Sequence, residues 1–92
     1  MKAQKLIVIF GALENPARLK IIKALIKKQE LSCMKIKRLM HLSQPTISHH
    51  LKVLVNSDLL KVRKHMQFNY FSLNNRVIKM FLDELKKINK GR

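Results

Sequence analysis

Residues 42–60, LSQPTISHHLKVLVNSDLL, constrain this chain more than any other stretch, because they spell a capped helix with two faces of opposite chemistry. Ser43 stands where an N-cap belongs: its hydroxyl can accept from a first-turn amide that has no helical carbonyl to meet. Ile47, Leu51, Leu54 and Val55 fall at i, i+4, i+7 and i+8, one stripe that can lie on a core. The opposite face carries Thr46, His49, Lys52 and Asn56, with Gln44 and Ser48 on its shoulder near the helix start. It has no carboxylate. Amide, hydroxyl, imidazole and ammonium groups together suit phosphate oxygens and base edges, so this helix reads as one built to lie in a DNA groove.

The segments around it have matching punctuation. Asn15-Pro16 is a cap followed by proline at the first helical position, opening a helix to about Lys28 that should bury Leu19, Ile22, Leu25 and Ile26. Ser32 caps a short helix over Cys33 to Met40, with Ile36, Leu39 and Met40 turned inward, and His41-Leu42-Ser43 connects it tightly to the 44–57 helix. A short helix, a three-residue turn and a second capped helix make a helix-turn-helix. After Asp58, Leu60-Lys61-Val62-Arg63-Lys64 alternates apolar and basic, and Phe68 to Leu73 is aromatic and apolar, which predicts a two-stranded hairpin. Its tip, His65-Met66-Gln67, lacks the Gly, Asn or Asp that tight turns favour.

Both ends of the chain are unusually apolar. The first segment, Lys2 to Leu13, is hydrophobic on nearly every side and must be buried all round, in a core or a subunit interface. Asn74 or Asn75 caps a last helix whose Val77, Ile78, Phe81, Leu82, Leu85 and Ile88 form a face broader than a small core needs.

Length and charge set outer bounds. Ninety-two residues make one domain, residues 1–92, small enough for a partner subunit to help it considerably. Twenty Lys and Arg against five acids leave a net charge of +15, which favours a polyanionic partner. That charge gathers where the reading helix is: residues 35–65 hold seven Lys or Arg, all four His and one acid, Asp58. A single cysteine, Cys33, excludes an internal disulfide and fits a reducing cytoplasm. The start imitates a signal peptide, but its apolar run, Leu6 to Leu13, is followed by no small-x-small cleavage site and is far too short to span a bilayer. No membrane role is expected.

Helix, helix, helix-turn-helix, hairpin and helix is the winged helix-turn-helix order, mainly α with a two-stranded β-wing. Three segments resemble the ArsR/SmtB repressors of bacteria and archaea. Asn15-Pro16-Ala17-Arg18-Leu19-Lys20-Ile21-Ile22 looks like that family's opening of the second helix, Leu42 to Leu54 is similar to its recognition-helix signature, and Asn69-Tyr70-Phe71-Ser72-Leu73 looks like its second wing strand. The resemblance implies a homodimeric repressor of double-stranded DNA, dimerised through the first and last helices. It further implies that Gln44, Thr46, Ser48 and His49 touch bases or nearby phosphates, with Lys52 on the same face, and that Arg63 and Lys64 reach flanking phosphates or the minor groove. Pro45 takes a position often held by Ser or Thr, which removes one hydroxyl contact.

Many relatives are metal sensors, and the ligands are missing here. Where the family's Cys-x-Cys would stand, the chain reads Glu30-Leu31-Ser32-Cys33-Met34-Lys35, with Ser32 and Met34 in place of the thiolates. A soft-metal site needs two or three thiolates converging. The family's other site needs His on the last helix, and this chain has Asp83 and Glu84 but no His beyond His65. No metal and no cofactor are expected. His49 and His50 are helix neighbours pointing about 100° apart, so they cannot chelate one ion together. The Asp83-Glu84 pair reads as a solvated patch opposite Lys79, Lys86 and Lys87. Cys33 is the candidate redox thiol, against the simpler reading of a small packed residue.

Three functions compete. A sequence-specific dimeric regulator accounts for the helix face; a nonspecific architectural protein accounts for the charge alone; a regulator working through a protein partner would keep the fold and lose the DNA. Catalysis has no support, since the chain shows no nucleophile–base pair, Gly-rich phosphate loop or metal cluster. No effector is legible.

Overall fold

A computed structural model describes residues 1–90, with side chains through Ile88. Five helices and three strands follow in the order α1 (Ala3–Leu13), α2 (Pro16–Lys28), β1 (Glu30–Ser32), α3 (Cys33–Met40), α4 (Gln44–Asn56), β2 (Leu60–His65), β3 (Phe68–Leu73) and α5 (Asn75–Lys90). Four of the five helices start on a side-chain cap, each accepting from an amide three residues on. Asn15 Oδ1 accepts from Arg18 and Ser32 Oγ from Lys35, both at 3.1 Å; Ser43 Oγ accepts from Thr46 and Asn74 Oδ1 from Val77, both at 3.4 Å. Asn74, not Asn75, is thus the cap of α5. Such a cap contributes about 1 kcal/mol.

The sheet has three strands rather than the expected two, in the antiparallel order β1-β3-β2. Leu31 pairs with Phe71 and Val62 with Phe71 from the other side, so β3 is central. The hairpin tip is shorter than expected: His65 belongs to β2 and pairs with Phe68, leaving only Met66-Gln67 as the loop. Met66 takes the positive φ that such a loop requires, at 57°.

One core joins all the elements. Ile9 and Ala12 of α1, Ile21 and Leu25 of α2, Leu31, Ile36, the α4 stripe Ile47-Leu51-Leu54, Leu59, Leu60, Phe71 and Phe81 are its buried members. Val55, at the edge of the α4 stripe, is half-buried as that position dictates. Two expected faces are rotated. In α2 the buried pair is Ile21 and Leu25, with Ile22 partly covered, while Leu19 and Ile26 are exposed. In α3, Ile36 is buried and Met40 partly so, but Leu39 is open. Six apolar residues within eight positions of α2 (19–26) cover too wide an arc for one groove. Neighbouring helices choose which part of it they meet.

α1 is half-covered rather than buried all round. Ile9 and Ala12 face the core, whereas Ile7, Val8 and Phe10 are exposed, and Phe10 meets Phe81 edge to face at 5.3 Å between centroids. Glu84 also departs from expectation: it is no solvated patch but lies half-buried, accepting from the Met1 ammonium at 2.8 Å with Lys87 at 3.5 Å. The Met1 ammonium and Lys87 hold its carboxyl below the usual range.

A buried polar joint links α4 to the wing. Ser57 is 1% exposed, and its hydroxyl donates to Leu54 O at 2.8 Å and accepts from Leu59 N at 3.4 Å. Asp58 follows in the left-handed region, φ 66°, and pairs with Lys5 of α1. This joint fixes where the wing leaves the reading helix.

Candidate nucleic-acid interface

The exposed side of α4 carries the residues that its sequence places there. Gln44, Thr46, Ser48, His49, Lys52 and Asn56 are all exposed, while Ile47, Leu51 and Leu54 are buried beneath them. The first turn is already organised. Thr46 Oγ1 shares a 2.9 Å hydrogen bond with the capping Ser43 Oγ, and Gln44 Nε2 donates to Ser48 Oγ at 3.2 Å and to Cys33 Sγ at 3.7 Å. These links hold two amide and hydroxyl side chains in defined positions before any ligand arrives, which limits the ordering entropy of binding.

The two histidines part as the helix geometry requires. His49 is exposed; His50 is 8% exposed, with the ring centroids 5.9 Å apart and the planes inclined by 52°. His50 is more than a shoulder residue. Its Nδ1 lies 3.4 Å from Arg18 Nη1, and Arg18 Nε donates to Ala12 O at 2.7 Å. Arginine has only donors, so Nδ1 accepts and the ring proton is on Nε2. Burial first, then the charges of Arg18 and His49, lower the His50 pKa from its ordinary value. Arg18 therefore ties the end of α1 to the back of the reading helix.

The wing separates its two expected contacts. Along β2 and β3 side chains alternate, so Lys64 and its partner Asn69 share a face with Val62 and the core residue Phe71. Arg63 and its partner Tyr70 lie on the other face. There Arg63 is occupied: Nε and Nη2 donate to the two Glu30 carboxylate oxygens at 3.1 and 2.9 Å, and the guanidinium lies 4.9 Å over the Tyr70 ring. That bidentate bond keeps the Glu30 carboxyl below its usual range and raises Arg63 further. Arg63, expected to reach phosphates or the minor groove, is paired with Glu30 on the exposed side of the sheet.

Between α4 and β3 runs a shallow groove of about 340 Å³, lined by Gln44, Ser48, Lys52 and Asn56 on one side and Asn69 on the other. Asn69 is a residue that sequence reasoning left out. Its signal was parity: two positions before a core-facing Phe71, it had to share that face. Cys33 lies on the groove wall. Among the described residues no three His, Cys, Asp or Glu side chains converge on a point that could hold a metal, and no helix is long and apolar enough to cross a membrane.

A sequence profile described as bacterial regulatory protein, arsR family, matches residues 15–62, just over half of the chain and the whole segment from the α2 cap through α4 into the wing. The chain belongs to the arsR family of bacterial regulatory proteins. Membership makes it a DNA-binding transcriptional regulator. It is 34% identical over 84 residues to the transcriptional repressor SdpR of Bacillus subtilis, covering 90% of this chain and 92% of that one. It is 33% identical over 89 residues to an arsenical resistance operon repressor of Staphylococcus xylosus, covering 97% and 85%. Among solved structures, HlyU from Vibrio cholerae superposes with a TM-score of 0.76 at 29% identity, over 96% of this chain and 97% of that one. The fold is accordingly the winged helix of arsR-family regulators.

Proposed function

We propose that this arsR-family regulator is a homodimeric repressor that reads a palindromic operator and acts in the cytoplasm. The observation that carries the reading is the exposed, acid-free face of α4 seated on a fully buried stripe. Gln44, Thr46, Ser48 and His49 reach base edges and adjacent phosphates, and Lys52 and Lys64 neutralise phosphates beside them. Two such helices, related by a twofold axis, enter successive major grooves with half-sites about 10 bp apart or a multiple of it. The second copy is supported by α1, whose outward side (Ala3, Gln4, Ile7, Val8, Phe10) holds no charged group. Repression is supported by the similarity to SdpR, a transcriptional repressor, and to the arsenical resistance operon repressor.

Selection of bound sites from random duplexes tests this. An inverted repeat with half-sites in register with the helical turn is expected; recovery of no preferred sequence favours a nonspecific coating protein instead. A second reading, thiol control, has one observation in its favour, the Gln44 hydrogen bond to Cys33 Sγ. Repeating the selection with peroxide-treated protein and a Cys33→Ser variant separates it, since only wild type would then lose the site.

A further inference from the structure

Four side chains of α4 are buried, Ile47, His50, Leu51 and Leu54. Three are hydrocarbon, and hydrocarbon packing is non-directional: it sets how deep a helix lies and holds its rotation only loosely. Base reading needs more, since contact side chains must be held within roughly 10–20° of the productive direction. His50 is the one buried side chain of α4 that can make a directional bond. The links from Ser43 to Thr46 and from Gln44 to Ser48 stay within the first turns, and the contact of Gln44 with Cys33 is exposed. Ser57, just past the helix end, bonds to Leu54 O and Leu59 N close by in the chain.

The partner of His50 is itself fixed at three points. The amide of Arg18 is the one that Asn15 caps, which sets its backbone in the first turn of α2. Its Nε donates at 2.7 Å to Ala12 O, a last-turn carbonyl of α1 that has no amide of its own helix to meet. Its Nη1 donates at 3.4 Å to His50 Nδ1, 32 residues further along the chain. No carboxylate of these helices competes for the guanidinium: α1, α2, α3, α4 and β2 contain no acid. Glu14, the acid nearest to Arg18 in sequence, is exposed and forms no ion pair with a described residue. A planar, rigid fork held in this way joins three helices at defined angles.

We propose that Arg18 and His50 are positioning residues for DNA reading: the guanidinium carries the setting of α1 through to α4 and fixes the rotation at which Thr46, Ser48 and His49 are presented. Neither side chain touches DNA. Their role rests on the reading of α4 as the base-contacting helix. The test is the affinity of the full chain for operator and for random duplex, with urea unfolding of the same samples. Arg18→Met and His50→Leu should each lower operator affinity about tenfold or more, while random-duplex affinity, which follows phosphate charge, stays within about twofold. In the double variant the losses should not add, because either change alone breaks the same link. His50→Asn places an amide oxygen where Nδ1 accepts, and should return operator affinity to within about threefold of wild type. Equal loss on both duplexes, in step with a lowered urea midpoint, would make the pair a matter of stability alone and overturn the assignment. Undiminished operator affinity in Arg18→Met, additive losses, or no rescue by His50→Asn would overturn it as well. A wild-type preference near one would remove the base-reading role of α4 and this assignment with it, whereas a high wild-type preference that Arg18→Met leaves intact removes this assignment alone.

Discussion

α1 and α4 are helices of 11 and 13 residues that each press one stripe into the same core, and they differ in what they turn outward. α4 shows amide, hydroxyl, imidazole and ammonium with no acid; α1 shows Ile7, Val8 and Phe10 with no charge. Buried stripes make both of them part of the fold. Outward faces differ in what they suit: a polyanion with hydrogen-bonding edges for one, an apolar surface for the other. In a chain of net charge +15, an outward helix face free of charge, with Lys5 to its side and paired with Asp58, is the more informative of the two.

The largest effect should come from breaking the apolar face. Ile7→Asp with Phe10→Asp should give a monomer by sedimentation and lower operator affinity by about 10²-fold or more, since each copy then holds a single half-site. A dimer that persists would assign the α1 face elsewhere. Removing a shared anchor comes next. Leu54 is fully buried under the α4 face, and Leu54→Ala should cost about 3 kcal/mol in urea unfolding. A cost below 1 kcal/mol would mean that α4 is not fixed by this stripe.

The two cations of the wing sharpen the comparison on a smaller scale. Lys64→Ala should weaken all DNA sequences alike and flatten the dependence of log K on log salt by about 0.9. Arg63→Ala should leave that slope unchanged, because Glu30 already holds the guanidinium. Glu30→Gln should release it, steepening the slope by up to about 0.9 and raising affinity for random duplex. Equal flattening by both alanine variants would mean that the ion pair opens on DNA.

The smallest effect is on pH dependence. The folded pKa of His50 lies below the ordinary 6.5, so above that value both states are neutral and nothing is lost. As pH falls below about 6.5 the unfolded chain takes up the proton first, and stability declines until the folded pKa is passed. Urea midpoints between about pH 7 and 5 should therefore fall more in wild type than in His50→Gln. Glu30 and Glu84, whose pKa values are lowered, lose their contribution only in the more acid range below 4.5.

What the sequence displayed was local. Caps at Asn15, Ser32 and Ser43, the α4 stripe and the alternation of β2 are set within a few residues, and all stand in the structure. What it hid depends on distant partners. β1 has a single inward residue, Leu31, and becomes a strand only because Phe71 lies beside it 40 positions later. The engagement of Arg63 rests on a carboxylate 33 residues away. The buried arc of α2 was ambiguous because apolar residues cover most of two adjoining faces, and packing selected Ile21 over Leu19. The exposed face of α4 was legible because a helix exposes what its stripe does not use. Asn69 was not, since its face follows from strand parity rather than from composition.

The central claim is that α4 reads base edges rather than holding charge alone. Its most direct test is the ratio of operator to random-duplex affinity at physiological salt, in wild type and in His49→Ala. The account predicts a wild-type ratio of about 10³ or more, reduced about ten- to a hundredfold by His49→Ala with random-duplex affinity unchanged. A wild-type ratio near one, or an equal loss on both duplexes in the variant, would contradict it.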